Sequence, residues 1–450
     1  MFTDFLLQVF KNNSDKNAIA WKDKVYTYEW LINQMDFWRE NIKKHDIQKG
    51  SVIALEADFS PNSLALLLVL IDHSCVLVPL TKSVEAQKPE FISIGQGEFS
   101  IAFDEEDNAT INKLSHRADH EFYNKLREKE HPGLVLFSSG STGKCKAAVH
   151  DFVDLLGKFK TPRHSLTTIT FLLYDHIGGI NTLLYVLSNA GFVVTVQDRK
   201  PDNVLGAIAK YKAELLPTTP TFINLILLSE AYKRHDLSSL KTMTYGTEPM
   251  PESTLTKIHE VLPQVRMLQT YGLSEVGILR SKSKSSSSLW VKVGGGEFQT
   301  RVVDRILQIK AESAMLGYLN APSPFTEDGW FNTGDLVEVD GEYIKILGRQ
   351  SEMIIVGGEK VYPAEVESVV NEMSNVTDAT VYGESNPITG NIVCVRVGLV
   401  QPEDPKKFKA ELKRFCREKL PNYKVPIKIK IQDSQLHNER FKKIRTFEDK

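Results

Sequence analysis

"LVLFSSGSTGKCK", Leu134 to Lys146, changes character in its middle. The opening "LVLF" has the length and apolar composition of a buried strand, and the remainder is a polar, glycine-containing turn. A strand feeding a phosphate-sized loop is the expected local structure. In such a loop small residues let backbone amides approach an anion, hydroxyls donate hydrogen bonds and two lysines neutralise charge. The pattern G-x-x-x-x-G-K-[ST] is not met, because Ser138 and Cys145 stand where it requires Gly and Ser or Thr. By itself the stretch reads equally well as a solvated Gly/Ser turn.

On both sides of it, strand and helix patterns alternate. Upstream, "LALLLVLIDHSCVLVPL" from Leu64 is interrupted by Asp72 and His73, so it reads as a buried helix running into a strand and not as a membrane span. Downstream, "FVVTVQ" from Phe192 precedes the amphipathic "PDNVLGAIAKYKAELL", where Pro201 and Asp202 supply a helix start. This alternation predicts an α/β fold with mainly parallel sheets packed with helices. The low-complexity "SKSKSSSS" at 281–288 is expected to be a mobile loop. "GEYIKILGR" looks like a hairpin strand closing one unit, and a helix begins at Pro363 in the next. The predicted domains are therefore residues 1–349, with the phosphate loop at 138–146, and a small mobile α+β domain at 350–450.

At 450 residues the chain exceeds what one core normally organises. Hydrophobic residues at 42% and charged residues at 25% argue for a globular protein. The formal net charge of -2 selects no nucleic-acid partner for the whole chain, although residues 405–450 hold 15 Lys and Arg against 6 Asp and Glu. Cys75, Cys145, Cys394 and Cys416 form no CxxC or Cys/His cluster, and the N-terminus lacks a secretory pattern. A cytoplasmic location is expected.

Two further segments suggest chemistry. "YGLSE", 271–275, places Glu275 after a tight turn, where a carboxylate suits magnesium because hard cations choose oxygen and keep substrate phosphates as partners. "DGWFNTGDLVEVDGEYIKILGR" offers Asp335 to ribose hydroxyls and Arg349 to ribose or phosphate. A surface Glu, a turn Asp and a surface Arg are the plain alternatives.

Taken in order with "DKNAIAWKDKVYTYEWL", "YGTEP", "LGYLN", "LGR" and "GGEKVYPAEVE", these segments resemble the adenylate-forming superfamily over nearly the whole chain. That superfamily comprises acyl- and aryl-CoA synthetases, luciferases and the adenylation domains of nonribosomal peptide synthetases. The resemblance implies that Ser139, Gly140, Ser141, Thr142, Gly143 and Lys146 handle the phosphates of ATP. It implies that Gly246, Thr247 and Glu248 line the adenine side with Tyr271 against the ring, that Thr142 and Glu275 serve Mg2+, and that Asp335 and Arg349 hold the ribose. Cys145 and Ala147 replace the usual Pro and Gly, and the hinge position is Ser351.

"LLYDHIGGI", 172–180, is similar to the acid pocket of the acyl- and aryl-CoA synthetases, which would place His176 by the substrate carboxylate and let substrate approach the backbone at Gly178 or Gly179. Tyr174-Asp175 also resembles the Phe-Asp of amino-acid-activating domains, where Asp175 would pair with an ammonium; the first reading is favoured because His and both glycines match. "LHNERFKKIR" aligns Lys443 with the family's catalytic lysine, although His437 replaces Pro and Lys442 replaces Gly, so Lys442 competes for the role. The implied activity is ATP-dependent activation of a small carboxylic acid to an acyl-adenylate. Transfer then follows to the thiol of CoA or of the phosphopantetheine on an acyl carrier protein, with rotation of the small domain between the two steps. An amino-acid or hydroxy-acid adenylation enzyme loading a carrier protein, and a non-catalytic nucleotide-binding homologue, are the alternatives.

Overall fold

The computed structural model describes residues 1–139, 145–432 and 436–445. "LVLF" lies in the strand Gly133–Ser139, which pairs in parallel with Val76–Leu80 and antiparallel with Cys145–Asp151. The phosphate loop is thus the connection of a hairpin. Both departures from the family pattern fall outside the turn, because Cys145 pairs with Ser139 and Ala147 with Phe137 in the strand.

Two seven-stranded sheets form most of the large domain. One contains the phosphate-loop hairpin, with a parallel centre of Gly133–Ser139, Val76–Leu80, Val52–Glu56 and Phe99–Phe103. The other has a parallel run of Arg266–Gln269, Thr242–Tyr245, Leu215–Thr218, Thr167–Ile169, Phe192–Val194 and Asn17–Trp21. The expected helix-to-strand segment is the helix Pro61–Asp72 followed by Val76–Leu80. Nearly every residue of that helix is buried, which explains its lack of a polar face. Ser60 starts it with a capping box, its side chain receiving the Ser63 amide.

A six-stranded, wholly antiparallel sheet follows, built from residues 281–349. Here the expectation of a loop at 281–288 is corrected in part: Ser281–Ser283 is a strand paired with Trp290–Val293, and residues 284–289 turn between the two. The serines order it through their hydroxyls, since Ser281, Ser283 and Ser286 accept the backbone amides of Tyr271, Gln269 and Met267. Low complexity gave no sign of this, because the acceptors become useful only beside another strand's free amides.

The small domain is a five-stranded sheet from residues 354–431, covered by the helices Pro363–Val370 and Pro405–Lys419. Its core is separate, centred on Val366, Val381, Val395 and Phe408. Beyond it, residues 436–445 form a tight loop in which Asn438 Oδ1 accepts the amides of Arg440 and Lys442, and His437 bridges to Lys443. Much of the basic character of this region is matched locally: Lys419 pairs with Glu372, Lys424 with Glu365 and Lys428 with Glu384. Among the described residues no helix is long and apolar enough to cross a membrane.

Candidate active site

The cleft is assembled from the ends of strands of the large domain and closed by the terminal loop of the small one. Asp335 and Arg349 face each other across adjacent antiparallel strands, with Arg349 Nε 2.8 Å from Asp335 Oδ1. Tyr271 donates its hydroxyl to the other oxygen, Oδ2, at 2.5 Å. Burial raises the Asp335 pKa while the Arg349 guanidinium opposes that rise. The three residues drawn from distant motifs therefore form one network, with Tyr271 held by its hydroxyl.

Glu275 is only 9% exposed, and its Oε1 accepts the hydroxyl of Tyr318 at 2.7 Å. The Lys146 ammonium lies 5.2 Å from the centre of the Tyr318 ring. Tyr318 was part of the recognisable "LGYLN", but its role needs the strand pairing that sets Gly317–Tyr318 beside Val149 and Ala148. Among the described residues Glu275 has no ion-pair partner, and no cluster of three or more His, Cys, Asp or Glu forms a metal cage. A single unpaired, partly satisfied carboxylate fits a magnesium ion bound chiefly through substrate phosphates. Gly140, Ser141, Thr142 and Gly143 lie outside the described residues, as does the side chain of Ser139.

On the expected adenine side, Gly246 is required by close packing, since a Cβ there would lie 2.7 Å from Thr270 Oγ1. Thr247 has φ +75°, and its buried hydroxyl has no partner among the described residues. Such strain and an orphan donor together are what a ligand site retains. Glu248 is engaged by protein: Oε1 accepts the Thr221 amide and hydroxyl at 2.8 and 2.5 Å, and Oε2 accepts the Lys443 amide at 3.1 Å.

In the expected acid pocket His176 caps the helix Ile177–Ser188, Nδ1 accepting the Gly178 amide at 3.0 Å. Burial, with Lys442 and Arg440 nearby, holds its pKa well below the usual value, so the ring is neutral with its proton on Nε2. The two glycines are closely packed by the chain itself. A Cβ on Gly179 would stand 1.9 Å from the Leu173 carbonyl oxygen, and one on Gly178 would stand 2.7 Å from Leu172 Cδ1. Packing within the chain is by itself reason enough for both glycines. Gly179→Ala is expected to cost about 3 kcal/mol or more, at or above the top of the range for overpacking, because backbone must move; urea denaturation checks it.

Asp175 is buried and accepts the Thr81 hydroxyl at 3.0 Å and Arg440 Nη2 at 2.9 Å. Arg440 belongs to the terminal loop, so this ion pair joins the domains. Ser253 and Ser368 exchange hydrogen bonds of 3.0 to 3.2 Å across the same boundary, and Asn224 Nδ2 donates to the Thr377 carbonyl at 2.9 Å. Ser351, the expected hinge, lies in the exposed single turn Gln350–Glu352 between the six-stranded sheet and the small domain.

The two lysines of "FKKIR" point to opposite sides. Lys443 Nζ is buried in the small domain, 2.9 Å from Asp378 Oδ1 and 3.7 Å from Glu367 Oε2, and these carboxylates raise its pKa. Lys442 lines the cleft with His176 and Thr247. Among the described residues it has no ion-pair partner, and burial beside Arg440 lowers its pKa to about 8. At the position aligned with the family's lysine the side chain thus faces the small domain, and that of its neighbour Lys442 faces the cleft. The cause is the tight loop at 438–442, whose bonds to Asn438 fix which side chain turns inward.

The fold and this cleft are those of an AMP-binding enzyme. Residues 6–289 match the AMP-binding enzyme family and residues 365–443 match the AMP-binding enzyme C-terminal domain. The chain belongs to that family, within the adenylate-forming superfamily of acyl- and aryl-CoA synthetases. It is 26% identical over 332 residues to the indoleacetate–CoA ligase of Aromatoleum aromaticum, covering 67% of this chain and 64% of that protein. It is 28% identical over 337 residues to the long-chain-fatty-acid–CoA ligase of Haemophilus influenzae, covering 68% of this chain and 59% of that one. The crystal structure of the anthranilate CoA ligase AuaEII, in complex with anthranoyl-AMP, shares the fold with a TM-score of 0.82 at 19% identity, covering 98% of this chain and 95% of that one.

Proposed function

We propose that the protein uses ATP to convert a carboxylic acid into an acyl-adenylate, releasing pyrophosphate, and then transfers the acyl group to the thiol of CoA. The observation that carries this reading is the Lys442 ammonium in the cleft beside the Thr247 hydroxyl, neither of which has a partner among the described residues. A buried cation without a partner is costly unless an anion completes it.

In the first half-reaction a carboxylate oxygen attacks the α-phosphorus of ATP and the bond to pyrophosphate breaks. Lys442 offsets the negative charge that develops on the phosphate oxygens, and neutral His176 presents its Nε2 proton near the acid. Lys146 and the 139–143 loop, with Thr142, hold the phosphates; Asp335 and Arg349 orient the ribose, and Tyr271, tied to Asp335, borders the base. Glu275 and Thr142 would hold magnesium, which supplies further charge neutralisation on the phosphates. In the second half-reaction the thiol attacks the acyl carbon and AMP leaves. Turning the small domain about Ser351 would withdraw Lys442 and admit the thiol. The polar contacts across the boundary that this turn must break, at Ser253–Ser368, Asn224–Thr377 and Arg440–Asp175, can be replaced by water bonds.

Amino acids are disfavoured as substrates because Arg440 and Thr81 already engage Asp175, which leaves less charge for an ammonium. CoA is taken as the acceptor in preference to a carrier protein from the resemblance to CoA ligases. The cytoplasm is the proposed location, supported by four cysteines that are all free.

Acid-dependent exchange of labelled pyrophosphate into ATP, followed by thioester formation with CoA, tests the reading. Exchange that stays at background across aliphatic and aromatic acids would point instead to a nucleotide-binding protein without this activity. Glu275→Gln should lower exchange roughly tenfold or more, the worth of a charged contact, and raise the magnesium concentration needed; an unchanged magnesium dependence would remove Glu275 from the site.

A further inference from the structure

The cavity lined by Lys442, His176, Thr247 and Phe171 measures about 20 Å³. A single water needs roughly 10–15 Å³ by the same measure, so the space now free beside these residues is about what a water or two would occupy. The group that fills the neighbouring space is the ring of Phe441. Its centroid lies 5.2 Å from that of Phe171 and 5.3 Å from that of Phe222, and those two rings are 4.2 Å apart. His437 stacks on Phe441 at 5.3 Å with 23° between the planes.

Phe171 and Phe222 are fully buried members of a large-domain core, whereas Phe441 is half-buried and comes from the terminal loop of the small domain. The slot is therefore built by one domain and filled by the other. Phe441 also has φ +53°, a left-handed conformation that a bulky side chain disfavours. Its neighbour Arg440 ties the same loop to Asp175, whose buried Oδ1 has no partner among the described residues.

We infer that Phe441 is a plug in the acid pocket, standing in the slot that the ring of an aryl carboxylic acid takes when it binds. The inference rests on the acid-activating function proposed above. The slot suits a ring because Phe171 and Phe222 hold an aromatic group at separations where ring pairs attract. An acid seated there has Lys442 and Thr247 within the same cavity to receive its carboxylate. Arrival of the acid displaces the Phe441 ring while Lys442 stays in the cleft, so acid binding strains the loop that Arg440 ties to Asp175 and is thereby coupled to the position of the small domain.

Calorimetric titration of the full chain with benzoate tests the plug directly. Phe441→Gly removes the ring and accepts the positive φ, and Phe441→Leu keeps apolar bulk without aromaticity; thermal melting verifies that each is folded. Phe441→Gly is expected to bind benzoate about tenfold more tightly than the parent chain, because the competing occupant no longer lowers the open fraction, with Phe441→Leu between them. Equal affinities, weaker binding by Phe441→Gly, or no benzoate binding by any of the three would overturn the inference. Pyrophosphate exchange on the same proteins separates the two ideas. Tighter benzoate binding with no exchange on any acid leaves the plug standing and removes the acid-activating function. Exchange with benzoate at an unchanged KM in Phe441→Gly does the reverse.

Discussion

Lys442→Ala is expected to lower acid-dependent pyrophosphate exchange by about 10²–10³-fold, the usual cost of removing a group aimed at charge developing in the transition state. Conversion of a supplied acyl-adenylate to thioester should be spared, because the lysine is withdrawn for that step. The pH profile provides an independent check. The pKa of Lys442 is lowered to about 8 by burial and by Arg440. Its ammonium is therefore present below that pH and is lost as pH rises through it, so kcat/KM for adenylation should fall above about pH 8. Lys442→Arg, which stays charged, should remove that alkaline fall even if its rate is lower. A profile that is flat to pH 9 in the parent chain, or a large loss confined to Lys443→Ala, would return the catalytic role to Lys443.

Glu367→Gln should destabilise the small domain by about 3–5 kcal/mol, the range for removing one partner of a buried ion pair. Glu367 has only 1% of its side chain exposed and accepts Arg445 Nη1 at 2.9 Å and Nη2 at 3.1 Å. It also accepts the Val381 amide at 2.9 Å and lies 3.7 Å from the Lys443 ammonium. Neutralising it leaves Lys443 paired with Asp378 and Arg445 with Glu352 among the described residues. The same residue anchors the strands on which the terminal loop rests, so adenylation should weaken more than nucleotide binding does. Urea denaturation reads the first effect and exchange kinetics read the second; a change under 1 kcal/mol would show that the cluster is open to solvent.

This cluster engages the Lys443 side chain within the small domain. With Arg445 it fastens the loop to the small domain, while the intervening backbone presents Lys442 to the cleft. The lysine position in "FKKIR" was legible as a pair, and the choice within the pair was not. Neighbouring residues on a tight loop face opposite ways, so a register that is right in the alignment does not say which ammonium reaches the substrate.

The order of motifs from "LVLFSSGSTGKCK" to "LGR" and the alternation of apolar runs with amphipathic ones were determined by the sequence, because strand and helix periods and turn residues are local properties. They pointed to parallel strands packed with helices, which form the centre of both seven-stranded sheets. They also brought Asp335, Arg349, Tyr271 and Glu275 into consideration. Tertiary structure alone decided what each side chain does there. Tyr271 and Asp335 meet across 64 residues, Arg440 reaches Asp175 across 265, and Phe441 enters a slot built by Phe171 and Phe222. The glycines of "HIGG" likewise proved to answer a clash with Leu172 and Leu173. Each of these facts depends on distances between segments far apart in the chain, and those are set by the packing of sheets, cores and domains and not by any local pattern.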